Sequence, residues 1–238
     1  MQTVMKFSQR SLLWMLGGLL ALAIAGCSSE PKERAAFITF LQTRIVDKPG
    51  VHLPKLTPDE EKSFGEYSKH FAVITDYNKA LDAKVQKPLR DITGMRMPRT
   101  MADLPAWRAN MVTLRKTSVQ MRNTIDTEQA AAGVKRVALK QPDDLKTVYD
   151  NAYARTVSDP GNGIKDMLVA LEGMIDSAEK LTAFLDLHKD KIRLNGAVAE
   201  VDDQKVLDEM NVLMKELNAG NEKVAASQRK LNALVSGK

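Results

Sequence analysis

The residue with the most definite chemistry is Cys27, the only cysteine in 238 residues. It closes the small-residue run Leu22-Ala23-Ile24-Ala25-Gly26-Cys27, which follows an apolar stretch over 11–25 and a leader carrying Lys6 and Arg10. A basic start, an apolar middle and small residues before a cysteine are the parts of a secretory signal cleaved to leave a lipid-modified thiol. Cys27 is therefore expected to carry a diacylglyceryl thioether as the first residue of the mature chain. An uncleaved spanning helix is the competing reading, but about fifteen apolar residues reach only about 22 Å, short of a hydrocarbon core of roughly 30 Å. With its one thiol consumed, the body has no disulfide to staple it and must fold on its apolar contacts alone.

Elsewhere the residues that could do chemistry lack the spacing for it. His52, His70 and His188 are the only histidines, and none stands at a metal-ligand interval from another histidine or from the cysteine. No Gly-x-Ser-x-Gly turn occurs to strain a serine nucleophile. Asp143-Asp144 and Asp202-Asp203 sit where helices should begin, and carboxylates there complement the helix dipole. The run Met95-Arg96-Met97-Pro98-Arg99-Thr100-Met101 alternates thioethers with cations. Thioethers two apart suit Cu(I), but without a nearby histidine or cysteine they read as gap-fillers at the end of a bundle. No catalytic residue, metal site or cofactor is expected.

Charge is uneven along the chain. Removing Lys6 and Arg10 takes the formal charge from +5 to +3. Nine cations, among them Arg90, Arg96, Arg99 and Arg108, lie between positions 84 and 125 against only Asp91 and Asp103. From 186 to 222 nine acids face five bases. The basic stretch, taken to sit beside the lipid tether, is a candidate contact for anionic lipid or an acidic envelope protein through Arg90, Arg96, Arg99 and Arg108. The competing reading is that the two stretches lie together and cancel, or form a solvated face. An exported lipoprotein is not expected to meet nucleic acid.

The elements that must position these groups are helices, since apolar residues recur at three and four and no segment reads as a strand. The first is expected over 33–46, with Phe37, Phe40, Leu41 and Ile45 on one face and Lys48-Pro49-Gly50 as its stop. Thr57-Pro58-Asp59-Glu60 is a capping box that starts a second helix, whose seam of Phe64, Tyr67, Phe71, Ile74, Asn78, Leu81 and Val85 is ended or kinked by Pro88. A third seam runs Leu104, Trp107, Met111, Leu114, Ser118, Met121, Ile125. A short helix over 143–156 leads to Asp159-Pro160-Gly161-Asn162-Gly163, read as the strongest turn in the chain. Two further seams, Ile164 to Leu185 and Val206 to Leu234, flank a short connection at Asn195-Gly196 that makes them antiparallel neighbours. Seam residues Asn78, Ser118, Gly220 and Ser227 either fix register or face outward. The sum is an all-α, elongated antiparallel bundle of heptad-patterned helices: signal 1–26, lipidated tether 27–32, one helical domain 33–238.

The lipobox Ile24-Ala25-Gly26-Cys27, the segment Glu33-Arg34-Ala35-Ala36-Phe37-Ile38-Thr39-Phe40-Leu41-Gln42-Thr43-Arg44-Ile45 and Leu53-Pro54-Lys55-Leu56-Thr57 resemble an uncharacterised family of Gram-negative lipoproteins, domain of unknown function 3053. The resemblance spans the mature chain and implies no catalytic or binding residues. By analogy with enteric lipoprotein sorting, Ser28 after the cysteine implies the periplasmic face of the outer membrane, with the inner membrane as the alternative. The expected role is a non-enzymatic envelope scaffold or tether; the alternative is a periplasmic binding protein for a lipid or metal.

Overall fold

The computed structural model describes residues 29–96, 98–195 and 198–238. The expected signal over 1–26, Cys27 and Met97 lie outside the described residues, so the lipobox reading and the middle of the methionine run are addressed by sequence alone. Helix α1, Glu30–Leu41, opens three residues earlier than expected, with Pro31 and two acids in its first turn, and closes in one π turn, Gln42–Val46. Phe37, Phe40, Leu41 and Ile45 are buried as the seam requires.

Thr57 caps α2, Pro58–Phe64, through the expected reciprocal box: the Glu60 amide donates to Thr57 Oγ1 at 3.2 Å and the Thr57 amide to Glu60 Oε2 at 2.8 Å. The expected continuous helix breaks at Gly65, where φ is +52° and an added Cβ would lie 2.2 Å from Glu33 Oε2. A glycine here lets α1 approach and turns the chain. After one 3-10 turn, α3 runs Ser68–Thr93, carrying Pro88 inside it rather than ending there. Helix α4, Arg108–Ala138, buries Met111, Leu114, Ser118, Met121 and Ile125.

The largest departure from expectation is at Asp159-Pro160-Gly161-Asn162-Gly163, which is not a turn. Helix α5, Asp143–Tyr153, passes through a π turn, Ala154–Ser158, directly into α6, Asp159–Leu187. Pro160 cannot donate, which leaves the Thr156 carbonyl short of a partner. Asn78 Nδ2 of α3 donates to it at 3.1 Å, and Gln129 Nε2 of α4 donates to the carbonyls of Val157 and Ser158 at 3.3 and 3.2 Å. The glycine at 161 serves close approach, since a Cβ there would lie 2.6 Å from the Tyr77 hydroxyl and 2.3 Å from Gln129 Nε2.

A second correction lies between α6 and the last helix. Strands β1, Ile192–Asn195, and β2, Val198–Val201, pair antiparallel with Ile192 opposite Val201 and Arg193 opposite Glu200. Alternating Ile192 and Leu194 across Asn195-Gly196 is a hairpin pattern that the surrounding helical seams obscured. Helix α7, Gln204–Ser236, then returns along α6: Gly220 meets Met174, Leu231 meets Gly163, and Lys180 pairs with Glu216 at 3.6 Å. The antiparallel pairing of the last two long helices is as expected. Among the described residues no helix is long and apolar enough to cross a membrane.

Two cores share the all-α bundle. One joins α1, the start of α3 and α5 around Phe37, Phe71 and Tyr149; the other joins the end of α3, α4, α6 and α7 around Met111, Leu168 and Ile175. The continuous α5–α6 rod enters both. Replacing Asn78 with Ala should therefore cost about 1–3 kcal/mol, the penalty for stranding a buried acceptor, read as a lowered urea midpoint. An unchanged midpoint would contradict the role given to its amide.

Candidate functional site

Basic residues from the middle of the chain divide into two groups according to the acids that meet them. Lys84 pairs with Glu128 at 2.6 Å, Arg115 with Asp176 and Glu179 at 2.6 and 2.8 Å, Arg122 with Glu172 at 3.0 Å, and Arg108 with Asp186. The basic stretch meets acids, but chiefly those of α6 rather than the 186–222 stretch expected to cancel it. Of the 186–222 stretch, only Asp186 takes part in these pairs. Arg90 hydrogen-bonds Gln86 on the last turns of α3. Arg96 and Arg99 stand exposed on the connection from α3 to α4.

That connection is held from inside. Asp103 Oδ2 accepts from the amides of Arg99 and Thr100 at 3.0 and 2.9 Å and from the Thr100 hydroxyl at 3.0 Å. The Thr100 and Arg99 amides, the Thr100 hydroxyl and the nearby Arg99 charge hold the Asp103 carboxyl below the usual carboxylate range. The buried Trp107 indole donates to the Arg96 carbonyl at 3.1 Å. Met95, Met101 and Leu104 seat the loop on the second core, so the two described methionines of the run act as packing residues.

Of the four candidate arginines the structure brings two together: Arg96 and Arg99 line one cleft of about 400 Å³ with Trp107 as its wall. Arg90 and Arg108 do not line it. A second cleft of about 260 Å³ opens across Pro98 and Arg99, floored by Met101, Leu104, Leu181, Met214 and Leu217. Neither the Trp107 anchor nor this second cleft was legible from spacing, because both depend on how a loop folds back on α6 and α7. The expected position beside the tether is also corrected. Glu30 is bonded to Tyr67 just before α3 begins, whereas Arg96 follows the end of that helix. Twenty-six helical residues separate the two ends by about 39 Å.

The other candidate groups take structural roles. Asp143 and Asp144 lie in the first turn of α5, and Asp144 also meets Arg34 at 3.5 Å. Asp203 caps α7 through the amides of Lys205 and Val206 and pairs with Lys191 at 2.8 Å. His70 is bonded to Gln141 at 3.1 Å between the rings of Tyr67 and Tyr149, where burial lowers its pKa. His188 lies against Phe184 at the end of α6.

The family described as "Protein of unknown function (DUF3053)" matches residues 15–232. The uncharacterized protein YiaF of Escherichia coli K12 is 28% identical over 183 residues, covering 75% of this chain and 73% of the relative. YiaF of Shigella flexneri matches with the same identity and coverage. No solved structure matches the chain.

Removing the Asp103 carboxylate should loosen the loop and expose Trp107. In a Trp14→Phe background, which leaves Trp107 the sole tryptophan, Asp103→Ala should raise acrylamide quenching at neutral pH. Because the folded carboxyl titrates below its unfolded value, its contribution is present above the ordinary carboxylate pKa and is lost as pH falls through the lowered one. The parent should acquire the variant's quenching only in strong acid. Identical quenching of the two at neutral pH would contradict the cap.

Proposed function

This chain belongs to the DUF3053 family of proteins of unknown function, and on that premise we propose that it is a lipid-anchored, non-enzymatic envelope protein that tethers or scaffolds an acidic partner from the periplasmic face of the outer membrane. The observation that carries the reading is the lipobox ending at Cys27, two residues before a folded body. Ser28 and Ser29 alone separate Cys27 from α1, a reach of about 10 Å. Helix α1 is itself joined to the body, by Glu30 to Tyr67 and by Arg34 to Asp144. An anchor at Cys27 would thus hold the whole bundle by its first core.

The assignment as non-enzymatic draws on how the buried hydroxyls are used. Ser118 donates to Glu172 Oε1 at 2.7 Å, Thr156 to the Ala152 carbonyl at 2.7 Å and Thr182 to the Ala178 carbonyl at 2.6 Å. Ser118 thus joins α4 to α6, Thr156 and Thr182 are committed to carbonyls one turn back in their own helical rod, and Glu172 is taken up by Ser118 and Arg122 together. The partner is taken to be an acidic protein because Arg96 and Arg99 stand at the far end of α3 from the anchored end, away from the headgroups that would surround Cys27.

Cells fed an alkyne analogue of palmitate test the anchor. The parent chain should incorporate the label and fractionate with membranes, and Cys27→Ala should do neither. A parent chain that keeps its intact leader, or a labelled Cys27→Ala variant, would overturn the proposal.

A further inference from the structure

We infer that the loop joining α3 to α4 is a two-part receptor for an acidic, amphipathic polypeptide segment, with carboxylates of the segment meeting Arg96 and Arg99 and its apolar side chains entering the cleft between Leu104 and α7. The inference rests on the tethering role proposed above and names the chemistry of the partner.

Charge complementarity identifies the occupant. Lys84 before the loop and Arg108, Arg115 and Arg122 after it are spent on the protein's own acids, at Glu128, Asp186, Asp176 with Glu179, and Glu172. Arg96 and Arg99 remain exposed at one place, beside an aromatic wall. Among the described residues lining that cleft the one acid is Asp103, and it is engaged by three donors of the loop itself. The loop backbone is fixed at the Arg99 amide and the Arg96 carbonyl, and the exposed guanidinium groups it carries suit carboxylates, which they can meet through paired hydrogen bonds.

The apolar half shares Arg99 and Pro98 with the first cleft. Leu217 and Met214 of α7 are half-buried there, and Asn218 and Asn221 form a polar rim. Met214 and Met101 supply adaptable surface of the kind that receives varied apolar side chains. A bare anion would use only the arginines, and a lipid surface would need a broad cationic face rather than two arginines beside a narrow apolar slot. Pre-organisation by Asp103 and Trp107 removes much of the ordering cost that a loop site pays on binding.

Fluorescence anisotropy on the full chain in neutral detergent tests the inference, with a fluorescein-labelled peptide of Glu and Leu at helical spacing as the probe. The parent should bind it. Arg96→Glu/Arg99→Glu should weaken binding about tenfold or more, since truncated or reversed charge contacts cost on this scale. Met214→Ser should weaken it severalfold, with circular dichroism confirming an intact fold. Lys116→Glu, an exposed charge on α4, should leave it unchanged. Equal binding of a Glu-Ser peptide would overturn the apolar half. Equal loss in Lys116→Glu, or preferential binding of the chain to phosphatidylglycerol micelles with none to the peptide, would overturn the receptor altogether. Peptide binding in detergent does not require the lipid on Cys27, so absence of binding by a chain that still labels with palmitate rejects this inference and leaves the anchor standing.

Discussion

A proline has no amide hydrogen, and a carbonyl left without a donor inside a protein costs about as much as a whole hydrogen bond returns. At Pro160 that cost falls where the two cores of this bundle meet. Asn78 from α3 meets it by donating to the Thr156 carbonyl, and Gln129 from α4 adds side-chain donation to the next two carbonyls, of Val157 and Ser158. Because the carbonyls are satisfied laterally, the chain can remain helical through a sequence that would otherwise turn. Gly161 completes the junction by letting the Tyr77 ring and the Gln129 amide come close.

The continuous rod determines the rest of the arrangement. Its first half buries Leu145, Tyr149 and Ala152 against α1 and α3, and its second half buries Leu168, Leu171 and Ile175 against α4. A turn at 159–163 would have folded one core onto the other. With the rod extended, the start of α1 and the loop after α3 fall at opposite ends, and α6 is left straight enough to receive α7 along its length. The far end of α7 is fastened in turn: the Val51 amide donates to the Val235 carbonyl at 3.0 Å, and Gly50 and Gly237, both at positive φ, lie back to back. Arg155, in the π turn of the rod, donates to the Gly50 carbonyl at 3.2 Å. The N-terminal loop, the rod and the C-terminus thus close on one another.

Much of this was legible in the sequence. Heptad seams located every long helix, the capping box at Thr57 marked its helix start, and Asn195-Gly196 marked the reversal before α7. What misled was local punctuation. Asp-Pro-Gly-Asn-Gly carries the residues of a turn, and the side-chain donors that support it as helix, Asn78 and Gln129, lie 78 and 28–29 residues away in sequence. Asn78 looked like a register device or an exposed break in a seam, yet its partner is the carbonyl that Pro160 strands. The hairpin was missed because its strands are only four residues each. The basic stretch was correctly seen as uneven, but its neutralisation by Glu172, Asp176 and Glu179 of α6 could not be read from charge counts along the chain, since it depends on which helix faces which. The candidate site therefore shrank from four arginines to Arg96 and Arg99.

The account stands most directly on the helical continuity of the α5–α6 junction. Hydrogen–deuterium exchange of the folded chain, resolved to peptides covering 154–166, measures it. Protection across that window should match that of the neighbouring segments of α5 and α6 in the parent and collapse there first in Asn78→Ala/Gln129→Ala. Rapid exchange of this window in the parent chain, with α5 and α6 protected on either side, would show two helices joined by a turn and contradict the account.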